Sequence, residues 1–173
     1  NDEVYEVSAG HMTVSPPLSR VNAENGTLEL FADICKFNDD NPTPASNGDA
    51  VPMGNPYDMS ILAGGFAISD GNYNRIIYVS ATGEMSLLAQ WENSPVTVGI
   101  GTGPDGNLYV SQFSPAPYTA GTGRIDMVTP DGEVTEGVVG GLTTPIDVTF
   151  GPDGTMYVLQ YAAEFSAEKL RYI

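Results

Sequence analysis

The stretch Gly103-Pro104-Asp105-Gly106-Asn107-Leu108-Tyr109-Val110-Ser111-Gln112 (GPDGNLYVSQ) returns at Gly151–Gln160 as GPDGTMYVLQ. The interval is a period in the forties, and each copy joins a Gly-rich turn to a β-branched and aromatic run, the pattern of a propeller blade. Thr97–Thr102 and Pro145–Phe150 precede the two copies and read as short strands entering the turn. A third copy starts at Asn55-Pro56-Tyr57-Asp58-Met59-Ser60-Ile61-Leu62 and passes through a degenerate turn at Ala63-Gly64-Gly65. Second strands are then expected at Phe66–Ser69, Leu108–Ser111 and Met156–Leu159.

The outer half of the unit repeats as well. Arg75–Val79 with the turn Thr82-Gly83-Glu84 matches Arg124–Val128 with Pro130-Asp131-Gly132-Glu133. Ser19-Arg20-Val21-Asn22 with Glu24-Asn25-Gly26-Thr27 is an earlier copy. Asn-Gly and Asp-Gly between strands are strong hairpin signals because both positions tolerate positive φ. The expected fold is all-β, a propeller of four-stranded blades. Its segments are a partial blade with an acidic loop over 1–54, a blade over 55–95, another over 96–144, and a partial blade over 145–173. Glu3–Ser8 fits a second strand, Leu18–Asn22 a third, and Lys169–Ile173 a third strand without an outer partner. That is roughly fourteen strands, about half of a six-bladed ring. A half-ring exposes strand edges and apolar faces, so further blades or a second chain are expected to close it. Asn1 accordingly reads as the start of a processed or partial chain. Ala32–Phe37 is expected to form a helical turn, Asp39–Asp49 an acidic surface loop, and Ser111–Gly123 a long insertion.

Composition narrows the partners. The chain has 173 residues, enough for a real core. With 22 acidic residues against 6 basic ones, the formal net charge is −16. A surface that negative repels phosphate backbones and anionic lipid, which argues against nucleic acid and membrane partners. No apolar run is long enough to span a bilayer. A single cysteine, Cys35, excludes an internal disulfide framework and a multi-cysteine metal site, and low cysteine use is compatible with export.

Ser69-Asp70-Gly71-Asn72-Tyr73-Asn74-Arg75-Ile76 resembles the bend of an NHL repeat. The order of segments is similar to that of the ScyD/ScyE family, named for scytonemin biosynthesis. The carrying residues are the Arg-Val-Asn hairpin ending in Leu30-Phe31-Ala32-Asp33-Ile34, the Asn-Asp-Asp-Asn-Pro loop, Asn55-Pro56-Tyr57-Asp58, the NHL-like bend and the two GPDG turns. The chain departs from the family in its shortened Ala63-Gly64-Gly65 turn and in its length. The resemblance implies an exported, extracellular or periplasmic β-propeller with no established reaction.

Function in propellers sits where inner-strand ends and loops converge on the central channel. Asp58 and Asp147 occupy equivalent inner-strand positions, with Gly99 in that place between them. Two such carboxylates could hold Ca²⁺ with carbonyl or Asn oxygens, as in related calcium-bearing six-bladed hydrolases. The repeat favours the other reading, in which each accepts backbone hydrogen bonds from a neighbouring blade. Asp70, Asn72 and Asn74 could offer oxygens to a cation too, but their spacing is shorter than a calcium loop and the final Glu is missing. A bend held by Asx hydrogen bonds is the competing reading. Asp39, Asp40 and Asp49 make a weaker acidic loop. Asn25-Gly26-Thr27 fits the glycosylation acceptor pattern and equally an ordinary hairpin turn. Trp91, Phe113, Tyr118 and Tyr161 stand at strand ends or in loops, where they could stack on a ligand or pack between blades.

Catalysis finds little support. His11 is the one histidine, expected on the surface, and no serine sits in a nucleophile elbow. The leading expectation is an exported, non-enzymatic binding or scaffold module taking a protein or small-molecule ligand at the channel mouth or long loops. The alternatives are a divalent-metal-dependent lactonase- or lyase-like enzyme and a subunit of an extracellular assembly. No cofactor is required, with Ca²⁺ the one candidate.

Overall fold

The computed structural model describes residues 4–7, 17–42, 54–92, 96–114 and 118–162. Within them, alternating apolar and polar runs separated by Gly-containing turns form antiparallel meanders. Strands β1 (Val4–Val7), β2 (Pro17–Val21) and β3 (Leu28–Asp33) make a first, three-stranded sheet, and helix α1 (Ile34–Asp40) follows. Strands β4 (Pro56–Leu62), β5 (Gly65–Asp70), β6 (Arg75–Val79) and β7 (Met85–Gln90) make a complete second blade in that order. Strands β8 (Val96–Thr102), β9 (Leu108–Phe113), β10 (Gly123–Val128) and β11 (Val134–Leu142) make the third. Strands β12 (Pro145–Phe150) and β13 (Met156–Gln160) pair as the inner half of a fourth. The second strand of each blade lies against the inner strand of the next: β1 on β4, β5 on β8, β9 on β12. This recurring contact identifies β1 as a second strand, as its sequence suggests. The expected strand at Lys169–Ile173 lies outside the described residues, as do His11 and Asp49.

Two apolar layers hold successive blades together. Leu18, Ala32, Ile34 and Phe37 pack on Ile68, Ile77 and Val79 of the second blade. On the other face of that blade, Leu62, Ala67, Ile76, Ala89 and Trp91 pack on Ile100, Leu108, Val110 and Val128 of the third. Each fully buried Ile or Leu here contributes roughly 1.5–3 kcal/mol. The outer turns add backbone contacts. A Cβ on Gly83 would lie 2.6 Å from the Phe31 carbonyl oxygen, and one on Gly132 would lie 2.4 Å from that of Leu88. The second and third blades thus rest their outer turns against the outer strand of the blade before them.

Several local expectations are corrected. The helix begins later and runs further than Ala32–Phe37, so Asp39 and Asp40 are helical rather than part of a loop. The Asp33 side chain accepts from Lys36 N–H at 3.0 Å and starts the helix after the strand ends. Lys36 pairs with Asp40 one turn on, and Asn41 closes the end on the Phe37 carbonyl. Gly65 is the first residue of β5, not part of the turn. The loop there is only Ala63-Gly64, both at positive φ (48° and 79°), as a two-residue hairpin turn requires. In the Asn-Gly and Asp-Gly turns only the glycine adopts positive φ. Asp105, Asp153 and Asn25 instead accept the amide two residues on, from Asn107, Thr155 and Thr27. The insertion after β9 is shorter than Ser111–Gly123, because β9 extends to Phe113 and β10 starts at Gly123.

Among the described residues Arg75 is the largest fully buried side chain. Its guanidinium meets Asp70 at 3.2 Å, donates to the Asn41 carbonyl at 3.2 Å and to Asn38 Oδ1, and lies 4.6 Å from the Tyr73 ring centroid. Burial lowers the Arg75 pKa and the Asp70 charge opposes that shift. Arg75→Ala removes the guanidinium that faces Asp70, Asn38 and the Asn41 carbonyl in the interior, so chemical denaturation should show a loss of about 3–5 kcal/mol. Arg20→Ala, which breaks the exposed pair with Glu29, should cost under about 1 kcal/mol. Equal losses would show that the buried pair has no special weight.

Candidate functional site

Inner strands β4, β8 and β12 run side by side and line one open cavity, with Asp58, Ser60, Thr102, Asp147 and Thr149 as its polar groups. This is the channel side of the blades. Asp58 Oδ1 accepts the following amide, Met59 N–H, at 2.8 Å. Its Oδ2 accepts Ile100 N–H from the next blade at 2.9 Å. Asp147 repeats the first contact, accepting Val148 N–H at 2.8 Å. Ser60 and Thr102 hydroxyls meet at 2.9 Å, Thr102 N–H donates to Ser60 Oγ at 3.1 Å, and Thr102 Oγ1 donates to the Ile61 carbonyl. These side chains stitch β4 to β8.

Gly99 stands between the two carboxylates for a steric reason. A Cβ there would lie 2.3 Å from the Ile146 carbonyl oxygen and 2.8 Å from Asp147 Oδ1. A third aspartate at this repeat position would collide with the second. Asp58 and Asp147 are therefore brought together on one wall. Burial raises the Asp58 pKa, and the like charge of Asp147 adds to the rise, while the Ile100 and Met59 amides oppose it.

The NHL-like bend is placed away from this wall. Asp70 is wholly buried, and its Oδ1 accepts Asn55 N–H at 2.8 Å and the Asn72 and Tyr73 amides at 3.3 Å. Its Oδ2 faces Arg75 Nε at 3.2 Å. Asn74 takes positive φ, accepts Thr97 N–H on Oδ1 at 3.4 Å and Trp91 N–H on its carbonyl at 2.9 Å. Asp70 thus faces N–H donors and a guanidinium, the environment of a structural brace. Among the described residues no group of three or more His, Cys, Asp or Glu is placed to hold a metal.

The aromatic candidates separate. Trp91 is 4% exposed and belongs to the layer between the second and third blades, so it offers no stacking surface. Phe113 and Tyr118 pack edge to face at 5.6 Å. Tyr161 remains exposed. Asn25 is exposed in the turn between β2 and β3.

Sequence reasoning missed the shared role of one repeat position near the end of the second strand. Asp70, Gln112 and Gln160 hold this place, and each accepts from the segment that starts its own blade: Asn55 N–H, Thr97 Oγ1–H at 3.2 Å and Thr143 N–H at 2.8 Å. The signal was present, since both copies of the echo end in Gln.

The meander order, the blade-on-blade packing and the channel-side inner strands define a β-propeller. No family model and no curated protein sequence matches the chain. Solved structures do. Virginiamycin B lyase from Staphylococcus aureus matches with TM-score 0.61 at 19% identity, over 91% of this chain and 45% of that one. A chain of a nidogen/laminin complex matches with TM-score 0.56 at 14% identity, over 92% of this chain and 52% of that one. Regucalcin from Agrobacterium tumefaciens, described as a calcium-binding protein, matches with TM-score 0.52 at 15% identity, over 90% of this chain and 65% of that one. At such identities the likeness shows the fold. The chain spans under half of the virginiamycin B lyase chain.

The Asp58 shift has a testable sign. Its folded pKa lies above the ordinary 3.8, so the folded state binds the extra proton. Stability from this group is present at low pH and is lost as pH rises from about the ordinary value through the raised one. Asp147→Asn should move the Asp58 carboxyl titration, followed by ¹³C NMR, partway back towards 3.8. The return is incomplete because burial is the larger cause. An unchanged midpoint would show that the two carboxylates do not interact.

Proposed function

We propose that this chain is part of an exported β-propeller that binds a partner at its channel side or long loops and does no chemistry of its own. The observation that carries the reading is the channel wall. Both oxygens of Asp58 are engaged by backbone amides, and Ser60 and Thr102 are bonded to each other rather than to a base. A wall whose polar groups hold neighbouring strands is built to present a surface. The net charge of −16 suits a neutral or cationic partner. A propeller of similar fold in a nidogen/laminin complex supports protein recognition as a use of this scaffold. Further blades, or a second chain, are the expected neighbours of β13. Its Tyr157 and Leu159 are 56% and 58% exposed, whereas Tyr109, the repeat equivalent of Tyr157, packs on Phe150 of the following blade at 4.9 Å.

One observation favours a second reading, a divalent-metal-dependent enzyme. Asp58 and Asp147 face the same cavity with mutually unfavourable charge, which a Ca²⁺ ion between them would relieve. Virginiamycin B lyase and the calcium-binding regucalcin have the same fold.

Calcium separates the two. A specific ion present at a hundred times its dissociation constant stabilises by about 2.7 kcal/mol. For a chain of this size that raises Tm by roughly 5–10 °C. The binding-module reading expects the same Tm in EDTA and in millimolar Ca²⁺. A rise of that size, abolished by Asp147→Asn, would replace it with the metal-dependent reading.

A further inference from the structure

We propose that Asn25 is an acceptor for N-linked glycosylation, receiving its glycan from a polyprenyl-diphosphate-linked oligosaccharide. Asn25-Gly26-Thr27 is the one triplet in the sequence with the acceptor pattern; Asn41-Pro42-Thr43 fails it through its central proline. The folded hairpin presents the triplet exposed and in one fixed conformation. Asn25 is exposed between β2 and β3, and Oδ1 accepts both Thr27 N–H at 3.0 Å and Thr27 Oγ1–H at 2.8 Å. Two donors on one carbonyl oxygen fix the plane of the amide. Nδ2 makes no hydrogen bond among the described residues. Gly26 holds φ at 72°, and beyond its own chain neighbours no atom lies within 4 Å of where a Cβ would stand, so a transferase can approach the tip. Asn41 shows the contrast, since its Nδ2 donates to the Phe37 carbonyl at 2.9 Å.

In the transfer, Nδ2 attacks the anomeric carbon and the new C–N bond forms as the C–O bond to the diphosphate breaks. The diphosphate leaves with the bonding pair, and the Nδ2 proton passes to a base of the transferase. No oxidant or reductant is involved. The proposal shares with the binding-module reading only the premise of export. An assay on purified protein does not depend on that premise, so either can fail alone.

The test uses the folded chain, an oligosaccharyltransferase and a polyprenyl-diphosphate oligosaccharide, with mass spectrometry of the tryptic peptide Val21–Lys36. Expected is the glycan mass on this peptide alone, removed by a peptide N-glycosidase to leave aspartate at position 25. Asn25→Asp keeps an oxygen acceptor for the turn, so it should fold with unchanged Tm and remain unmodified. Thr27→Ser should retain modification, and Thr27→Val should reduce it at least about tenfold, because only the hydroxyl contact is lost. An unmodified peptide in the folded wild type, or modification only after denaturation, would overturn the proposal. So would a Thr27→Val chain modified as well as the wild type.

Discussion

The buried pair of Asp70 and Arg75 is the constraint on which the described structure depends most. A charge removed from water needs compensation on every side, and here the compensation comes from different parts of the chain. Asp70 gathers the amides of Asn55, Asn72 and Tyr73, which fixes the bend between β5 and β6 and the start of β4. Arg75 reaches Asn38 and the Asn41 carbonyl, so it also anchors α1 to the second blade. Without the helix the guanidinium would lack two of its acceptors. Without the guanidinium the helix would lose its polar tie to the second blade and keep the burial of Ile34 and Phe37.

The third blade solves the same problem with a buried carboxylate whose guanidinium partner reaches the surface. Gln112 stands opposite Arg124 as Asp70 stands opposite Arg75. Arg124, one quarter exposed, turns instead to Asp126 at 2.7 Å and Glu136 at 2.9 Å. Asp126 also accepts Gly137 N–H at 2.7 Å, where β11 is bulged against β10. The blades therefore share a backbone plan but differ in where they place charge. Only the second blade carries the full NHL-like bend.

The GPDG echo made the blade pattern legible because glycine and aspartate at a turn are required by backbone conformation, whatever the surroundings. The β4, β8 and β12 alignment was equally readable, and it correctly placed Asp58, Gly99 and Asp147 in register. What the sequence concealed depends on contacts between distant segments. Nothing local in Ile34–Asp40 announces that Asn38 will meet Arg75, and the polar run from Asp39 argued for a loop. Gly99 looked like a missing aspartate until the Ile146 carbonyl showed why no side chain fits there. The role of Ser60 and Thr102 was hidden for the same reason. Their pairing joins two blades, and neither residue is distinctive in its own strand.

The glycines that let neighbouring blades touch have a geometric consequence. At the hub, Gly99 and Gly101 bring β8 close to the Ile146 and Val148 carbonyls; at the rim, Gly83 and Gly132 bring outer turns close to Phe31 and Leu88. The angle between adjacent blades widens as rim spacing exceeds hub spacing, so close approaches at either end bear on the curvature of the array. A methyl group added at the hub opens the inner edge and flattens the arc. The same methyl at the rim tightens it.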